Sequence, residues 1–405
     1  MPVGLTPPSS LAPVTGVRIA TAALGGRGKP RDDLTLFEIV PGAACAATFT
    51  RNAFCAAPVT VAREHLAREA PRYLLVNAGN ANAGTGVQGI ADAKRCCALV
   101  AEATGAPAGS VLPFSTGVIG EPLPVERFER AVPAAVERLS EDGWLDAASA
   151  IATTDIVPKG AFRTADLGGR TAVVTGIAKG SGMIRPDMAT MLAFIATDAA
   201  VAPAALRSMV RDAVEASFNR ITVDGDTSTN DACVLVATGA LGNAPVGEGS
   251  PEYAALAEAV GDVARELAHA IVRDGEGATK FVTVEVEEGA DGDECLDVAY
   301  TVAHSPLVKT ALYASDANWG RILAAVGRAG LADLDLSRIR IRLNGVCIVS
   351  GGERDAAYTE EAGAEAVSRE EIEIRIALGR GEARDRVWTC DFSHQYVTIN
   401  AEYRT

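Results

Sequence analysis

The sequence predicts an α+β fold in which helices and strands form layers. Several segments alternate apolar and polar residues, which is typical of a strand with one buried face, and longer segments repeat apolar residues at helical spacing. The clearest alternation is Phe281–Val286 and the longest helical pattern is Tyr253–Val272. Several alternating strands favour a layered α+β arrangement over a doubly wound parallel sheet, whose strands are buried on both faces.

The elements alternate along most of the chain. Helical spacing predicts helices at Val61–Glu69, Ile90–Thr104, Val125–Leu139, Gly143–Ile151, Pro203–Asn219, Tyr253–Val272, Pro306–Ala314 and Trp319–Gly327. Short apolar or alternating runs predict strands at Arg72–Asn77, Ser110–Ser115, Thr171–Val174, Met191–Thr197, Cys233–Thr238, Phe281–Val286, Ile339–Leu343, Glu371–Ala377 and Val387–Cys390. Asn77–Gly84 has the composition of a loop, and Gly289–Glu294 that of an exposed acidic turn.

Composition narrows the class of protein. The chain has 405 residues, 48% of them hydrophobic, so two domains or one large layered domain are expected. Its net charge of −15 argues against nucleic acid or an anionic membrane as a partner. The N-terminal residues lack the pattern of a secretory signal, and no apolar run is long enough to span a bilayer. A cytoplasmic location is therefore expected.

Cysteine and histidine spacing gives no sign of a metal site or a disulfide framework. The eight cysteines are scattered without a C-x-x-C motif, and the four histidines do not pair at ligand spacing. Two further motifs have simpler interpretations. Gly84–Gly89 matches G-x-G-x-x-G, but no acidic residue follows at the distance of a dinucleotide site, so a turn into a helix is favoured. Asp224–Asp231 lacks the spacing of a calcium loop, and turns explain it as well.

The most informative segment is Lys179–Leu192, in which a glycine-rich loop with a proline leads through Ala189 and Thr190 into an apolar run. Thr190 can attack the carbonyl group of Ala189. If that bond breaks, Thr190 becomes a chain end with a hydroxyl and an α-amine whose pKa is roughly 7.7–8.0, near enough to neutrality to act as a general base. A threonine at the start of a buried strand is the alternative interpretation, because β-branched residues fit strands.

A second segment, Thr116–Gly117, ends a predicted strand. A hydroxyl and a backbone N–H there can point at one oxygen, as in an oxyanion hole, although a plain turn fits the sequence equally well.

The chain resembles the ornithine acetyltransferase family of arginine biosynthesis, whose members are also called bifunctional glutamate N-acetyltransferases. The resemblance rests on motifs spread almost from end to end: Lys179–Leu192, Ser115–Gly120, Asn77–Ala83, Thr153–Asp155, Asp224–Asp231, Ser315–Arg321 and Tyr396–Thr405. The fold that it implies is a layered α/β sandwich, similar to N-terminal nucleophile enzymes but with a distinct topology.

The resemblance also implies roles for individual residues. Thr190 would be the nucleophile, exposed by self-cleavage between Ala189 and Thr190, and Thr116 and Gly117 would form the oxyanion hole. The α chain would comprise residues 1–189, with the oxyanion segment and the cleavage loop, and the β chain residues 190–405, with the nucleophile and the C-terminal substrate-contacting segment. Substrate contacts are expected from Thr153, Lys179, Thr190, Glu276, Asn400 and Thr405.

The implied reaction is a ping-pong transfer of acetyl from N²-acetylornithine to glutamate through acetyl-Thr190, which releases ornithine and N-acetylglutamate. Acetyl-CoA is a possible second donor, and no bound cofactor or metal is expected. The two chains would associate as an α₂β₂ heterotetramer in the cytoplasm.

Two other functions compete with this one. An amidohydrolase or aminopeptidase of the N-terminal nucleophile type would use the same Thr190 but pass the acyl group to water. A binding or scaffold protein would use Thr190 only as a strand residue. Transfer of the acetyl group to glutamate distinguishes the acetyltransferase from the first alternative. A single uncut band on a denaturing gel would favour the second alternative, the binding or scaffold protein.

Overall fold

The computed structural model describes residues 2–25, 31–185 and 191–402. Within these ranges the chain forms two compact units. The larger unit contains residues 6–219 and 226–271, and the smaller unit contains residues 2–5, 220–225 and 272–402. Each unit has its own sheet system and its own hydrophobic core.

The larger unit contains two sheets. Its strands are β1 (Val17–Ala22), β2 (Leu34–Ile39), β3 (Ala44–Phe49), β4 (Tyr73–Asn80), β5 (Val111–Val118), β6 (Lys159–Asp166), β7 (Thr171–Lys179), β8 (Leu192–Thr197) and β9 (Ala232–Ala237). The strand orders are β1-β2-β4-β5 and β3-β9-β8-β7-β6. The pairs β4–β5 and β8–β9 are parallel, and the other neighbours are antiparallel.

The two sheets pack face to face through large apolar side chains. The Phe194 ring of β8 lies 5.1 Å from the ring of Phe37 on β2 and 5.1 Å from that of Phe114 on β5, measured between centroids. Alternate residues of both sheets join this cluster because a strand points every second side chain to the same face. The cluster fixes which face of β8 points towards the four-stranded sheet.

Helices lie on the outer faces of both sheets, and one helix also packs into the cluster between them, where the Trp144 ring lies 6.0 Å from that of Phe37. The helices of this unit are α1 (Ala57–Leu66), α2 (Gly86–Thr104), α3 (Val125–Val136), α4 (Trp144–Ala150), α5 (Pro203–Glu215) and α6 (Pro251–Arg273), the last of which ends in the smaller unit. Apolar residues of α2 and α3 pack with the outer face of the four-stranded sheet. On the five-stranded sheet, α5 packs against β3 and β9, and Val263 of α6 lies against Gly176 of β7. The larger unit therefore has four layers, helix, sheet, sheet and helix.

The smaller unit is one mixed sheet with helices. Its strands are β10 (Phe281–Gly289), β11 (Arg340–Leu343), β12 (Val346–Ser350), β13 (Glu353–Arg354), β14 (Glu371–Ala377) and β15 (Ala383–Cys390), in the order β13-β12-β11-β14-β10-β15. Its helices are α7 (Gly292–Ala303), α8 (Pro306–Tyr313), α9 (Trp319–Gly327), α10 (Glu360–Val367) and α11 (His394–Glu402). Among the described strands of this sheet, only β10 and β14 pair in parallel. Val282, Val284 and Val286 of β10 alternate inward to join the core of this unit, as their spacing predicts.

The predicted α+β layered sandwich is confirmed. The acidic turn expected at Gly289–Glu294 is wrong in part, because α7 begins at Gly292 with Asp291 as its N-cap. Gly84–Gly89 leads into α2, as expected for a turn and helix start. Among the described residues, no helix has the length and apolar character that crossing a membrane requires.

Candidate active site

The ends of β4 and β5 bring two glycines together. Gly117 lies opposite Gly79 and has a φ of +131°, a conformation that favours glycine. A Cβ added at Gly117 would lie 2.6 Å from the backbone nitrogen of Asn80 and closer still to the carbonyl carbon of Gly79. Position 117 therefore requires glycine, and the residue is partly exposed.

Lys179, the last residue of β7, joins two hydroxyl groups. Its Nζ donates hydrogen bonds to Thr116 Oγ1 at 3.0 Å and to Thr153 Oγ1 at 2.9 Å. The ammonium group uses one lone pair of each hydroxyl, so each hydroxyl keeps its hydrogen to donate. Thr116, next to Gly117, thus has a fixed position and an O–H available for a developing negative charge.

Asp155 anchors the loop that carries Thr153. Its carboxylate accepts hydrogen bonds from the backbone N–H of Thr153 at 3.0 Å and of Gly180 at 2.7 Å, and it forms a 2.5 Å ion pair with Lys159. Both side chains of the pair are almost fully buried. Burial alone would raise the pKa of Asp155, but the charges of Lys159 and Lys179 and the N–H of Gly180 hold it well below its ordinary value. The ionised carboxylate favours a charged Lys179.

The chain from Lys179 to Leu192 begins and ends at paired positions of one sheet. Leu192 of β8 pairs with Lys179 in antiparallel register and with Ala232 of β9 in parallel register. Just after Lys179, Gly180 has a φ of +148°, and Ser181 shares a 2.7 Å hydrogen bond with Thr154. β8 is therefore held on both sides directly after the segment to which the sequence assigns cleavage.

The loop before β9 is bound to the end of β5. The side-chain amide of Asn230 donates to the backbone oxygens of Ala81 at 2.6 Å and Ser115 at 2.9 Å. Ser115 immediately precedes Thr116, so Asn230 fixes the end of β5 relative to β9.

The next residue, Asp231, is a buried acid with 3% exposure. Burial raises its pKa well above the ordinary value, and the hydroxyl of Ser228 and the charge of Lys179 oppose that shift only partly. Asp231 thus keeps its proton to higher pH than an ordinary aspartate.

The smaller unit brings together two other predicted residues. Asn400 on α11 donates its side-chain amide to Glu276 Oε2 at 2.8 Å, and Glu276 is 7% exposed. Gly277, next in sequence, needs its left-handed conformation because an added Cβ would lie 2.5 Å from the backbone nitrogen of Tyr396. A buried carboxylate beside an amide is suited to binding an ammonium group.

The predicted site residues thus fall into two clusters and an undescribed group. Thr116, Gly117, Thr153 and Lys179 lie together in the larger unit, and Glu276 and Asn400 lie together in the smaller unit. Ala189, Thr190 and Thr405 lie outside the described residues.

Sequence reasoning assigned no individual role to four residues of this site: Asp155, Lys159, Asn230 and Asp231. The motifs Thr153–Asp155 and Asp224–Asp231 contained three of them, and Lys159 gave no signal beyond its spacing of four residues from Asp155.

Comparison with known proteins identifies the family. The ArgJ family model matches residues 18–405. The chain belongs to the ArgJ family. The resemblance found in the motifs is therefore confirmed, and it extends over nearly the whole chain of this ArgJ family member.

The relatives and one solved structure agree with the family match. The arginine biosynthesis bifunctional protein ArgJ of Methylococcus capsulatus is 60% identical over 396 residues, covering 98% of this chain and 97% of that protein. The protein of the same name from Pseudomonas fluorescens is 56% identical over the full length of both. The crystal structure of the arginine biosynthesis bifunctional protein ArgJ of Bacillus halodurans is also similar. The match covers 52% of the present chain and 98% of the Bacillus chain, with 37% identity and a TM-score of 0.50.

Proposed function

We propose that this protein is a glutamate N-acetyltransferase of arginine biosynthesis, which transfers acetyl from N²-acetylornithine to glutamate through acetyl-Thr190. The observation that carries the proposal is the link from Lys179 to the hydroxyls of Thr116 and Thr153 beside the glycine-only position 117. Membership of a family whose relatives are named for arginine biosynthesis supports the pathway. Acetyl-CoA is proposed as a second donor on the word "bifunctional" in those names.

In the first half-reaction, Thr190 Oγ attacks the acetyl carbonyl carbon and the α-amine of Thr190 accepts the hydroxyl proton. The carbonyl oxygen gains negative charge, which the Thr116 hydroxyl and the Gly117 N–H stabilise. Donors of this kind contribute about 2.7–4 kcal/mol each in measured oxyanion holes. The α-amine then returns the proton to the departing amine of ornithine, and glutamate takes the acetyl group by the reverse steps.

Charge complementarity assigns the ends of the substrate. Acetylornithine carries a carboxylate and a side-chain ammonium group. Lys179 and Thr153 suit the carboxylate, whereas Glu276, held by Asn400, suits the ammonium. Thr405 is proposed as a further contact from the C-terminal motif.

Self-cleavage between Ala189 and Thr190 is part of the proposal. In the match, 98% of the Bacillus halodurans chain corresponds to only 52% of this chain. The Bacillus halodurans chain is therefore about half as long as this one. That ratio supports two chains in the family, and we propose that they assemble here as a cytoplasmic α₂β₂ heterotetramer.

Thr190→Ala tests both parts of the proposal. We expect one uncut chain without transferase activity, whereas the wild type gives two chains, one of which begins Thr-Met-Leu. Two fragments from the variant would contradict self-cleavage by Thr190.

Product analysis with the wild type separates transfer from hydrolysis. Acetylornithine with glutamate should yield N-acetylglutamate and little acetate, and acetate in both the presence and absence of glutamate would favour an amidohydrolase. N-acetylglutamate from acetyl-CoA without acetylornithine tests the second donor.

A further inference from the structure

Asp231 has a carboxyl oxygen to which no described residue bonds. The residue is 3% exposed, and Oδ2 has no hydrogen-bond partner among the residues that the structure describes. Burying a polar atom without a hydrogen bond is unfavourable, so native proteins rarely keep one without a reason such as catalysis. The role proposed above for the active site does not use this oxygen.

The backbone fixes Asp231 next to the start of β8. The peptide group that joins Asp231 to Ala232 is bonded on both sides: the Asp231 oxygen accepts from Thr50 N, and Ala232 N donates to Met191 O, each at 2.9 Å. Met191 directly follows Thr190 in the sequence. Asp231 therefore lies beside the residue that immediately follows the cleavage position.

Self-cleavage needs a proton donor that the mature enzyme does not. Before cleavage Thr190 has no α-amine, and its backbone nitrogen must gain a proton as the peptide bond breaks. A protonated carboxyl group can donate through its O–H and accept at its other oxygen. Burial, which keeps Asp231 protonated to higher pH, and the nearby charge of Lys179 suit the carboxyl to this exchange.

We propose that Asp231 is the catalytic acid of self-cleavage, an inference that rests on the cleavage proposed above. Thr190 Oγ forms a bond to the carbonyl carbon of Ala189, and the bond from that carbon to the Thr190 nitrogen breaks. Asp231 gives its proton to the departing nitrogen and takes up the proton of the Thr190 hydroxyl. Water then hydrolyses the ester, which frees the Ala189 carboxyl group and restores the hydroxyl.

The first test compares Asp231→Asn, directly before β9, with a matched control at the far end of the neighbouring strand β8. Asp198 directly follows β8, is buried, has a pKa raised by burial and accepts the N–H of Val173 at 2.9 Å. In freshly translated protein, followed by denaturing gel and chain mass, Asp231→Asn should slow cleavage by about 10²–10⁴-fold, the range of general acid–base catalysis. Asp198→Asn should cleave at the wild-type rate. Equal rates for the two variants would overturn the proposal.

The second test uses chemical rescue, which a merely structural role would not show. In Asp231→Ala, added formate should restore cleavage because it supplies a small carboxylic acid, and formamide of similar size should not. Equal cleavage with both compounds, including none with either, would overturn the proposal.

Thr190→Ala and the wild type separate this inference from the function on which it rests. A wild type that stays as one chain would refute self-cleavage itself. A wild type that cleaves, with an uncut Thr190→Ala and a normally cleaving Asp231→Asn, would refute only the role of Asp231.

Discussion

The two units hold lysine side chains in different ways. In the smaller unit, Lys280 donates to the backbone oxygens of Val367 and Arg369, and Lys309 donates to the backbone oxygen of Cys390 and the hydroxyl of Thr389. Burial lowers the pKa of Lys280 and of Lys309. Backbone oxygens are fixed by the fold and cannot rotate away from an ammonium group. These two lysines therefore stabilise the structure.

In the larger unit, Lys179 donates to the side-chain hydroxyls of Thr116 and Thr153. Hydroxyl groups can rotate and exchange partners when a substrate carboxylate or carbonyl arrives. Comparison of the two units indicates that a buried cation held mainly by backbone oxygens stabilises structure, whereas a partly exposed cation bonded to hydroxyls beside a glycine-only position is available for chemistry.

The largest expected effect is on stability, at Asp155. Asp155→Asn removes the carboxylate of the buried ion pair with Lys159, and breaking a buried ion pair costs about 3–5 kcal/mol. Asp391→Asn in the smaller unit should cost less, about 1–3 kcal/mol, because its main partners are the backbone N–H groups of Thr279 and Lys280, which an amide oxygen still accepts. Urea unfolding of both variants measures the difference, and the reverse ranking would contradict this comparison.

The loss of stability caused by Asp155→Asn should depend on pH in one direction. The native pKa of Asp155 is lower than the unfolded value of about 3.9, so its contribution to stability is fully present above that value. It is lost as pH falls from there through the native pKa. The difference in unfolding free energy between the wild type and Asp155→Asn should therefore be constant near neutrality and shrink in acid. A gap that widens in acid would exclude an ionised Asp155 in the native state.

Much of this arrangement could be predicted from the sequence, but its electrostatics could not. Motif resemblance named Thr116, Thr153 and Lys179, and the structure joins them. Asp231 lies in a polar segment that turns alone would explain. Its burial depends on residues distant in sequence, such as the residue after β3, which donates its N–H to the backbone oxygen of Asp231.

Three of the strands that the sequence patterns missed have an unfavourable composition. β1 and β3 are rich in alanine, which has low strand propensity, and β6 mixes glycine and charged residues with apolar ones. Pairing with neighbouring strands forms them, so tertiary context overrides local preference.

The next largest effect is on catalysis, at Lys179. Lys179→Met removes the ammonium that orients Thr116 and Thr153, and kcat/KM for acetylornithine should fall by about 10²–10³-fold, as for the loss of one oxyanion-hole group. Lys309→Met is the matched change in the smaller unit. It should lower the free energy of unfolding by about 1–3 kcal/mol, because the oxygen of Cys390 and the hydroxyl of Thr389 both lose the hydrogen bond from Lys309, and leave kcat/KM within a few-fold. Equal kinetic losses in the two variants would remove the distinction between the two environments.

The smallest effect is expected at Asn400, which tests whether the smaller unit takes part in binding. Asn400→Ala removes the 2.8 Å hydrogen bond to Glu276 and leaves the carboxylate less well oriented. The KM for acetylornithine should rise by about tenfold, which corresponds to about 1.4 kcal/mol, with kcat nearly unchanged. Thr398→Ala on the same helix is the control, because its hydroxyl bonds only to the backbone oxygen of His394 among the contacts described. A loss of kcat without a change in KM would assign Asn400 to the chemical step, and equal behaviour of the two variants would exclude Glu276 and Asn400 from the substrate site.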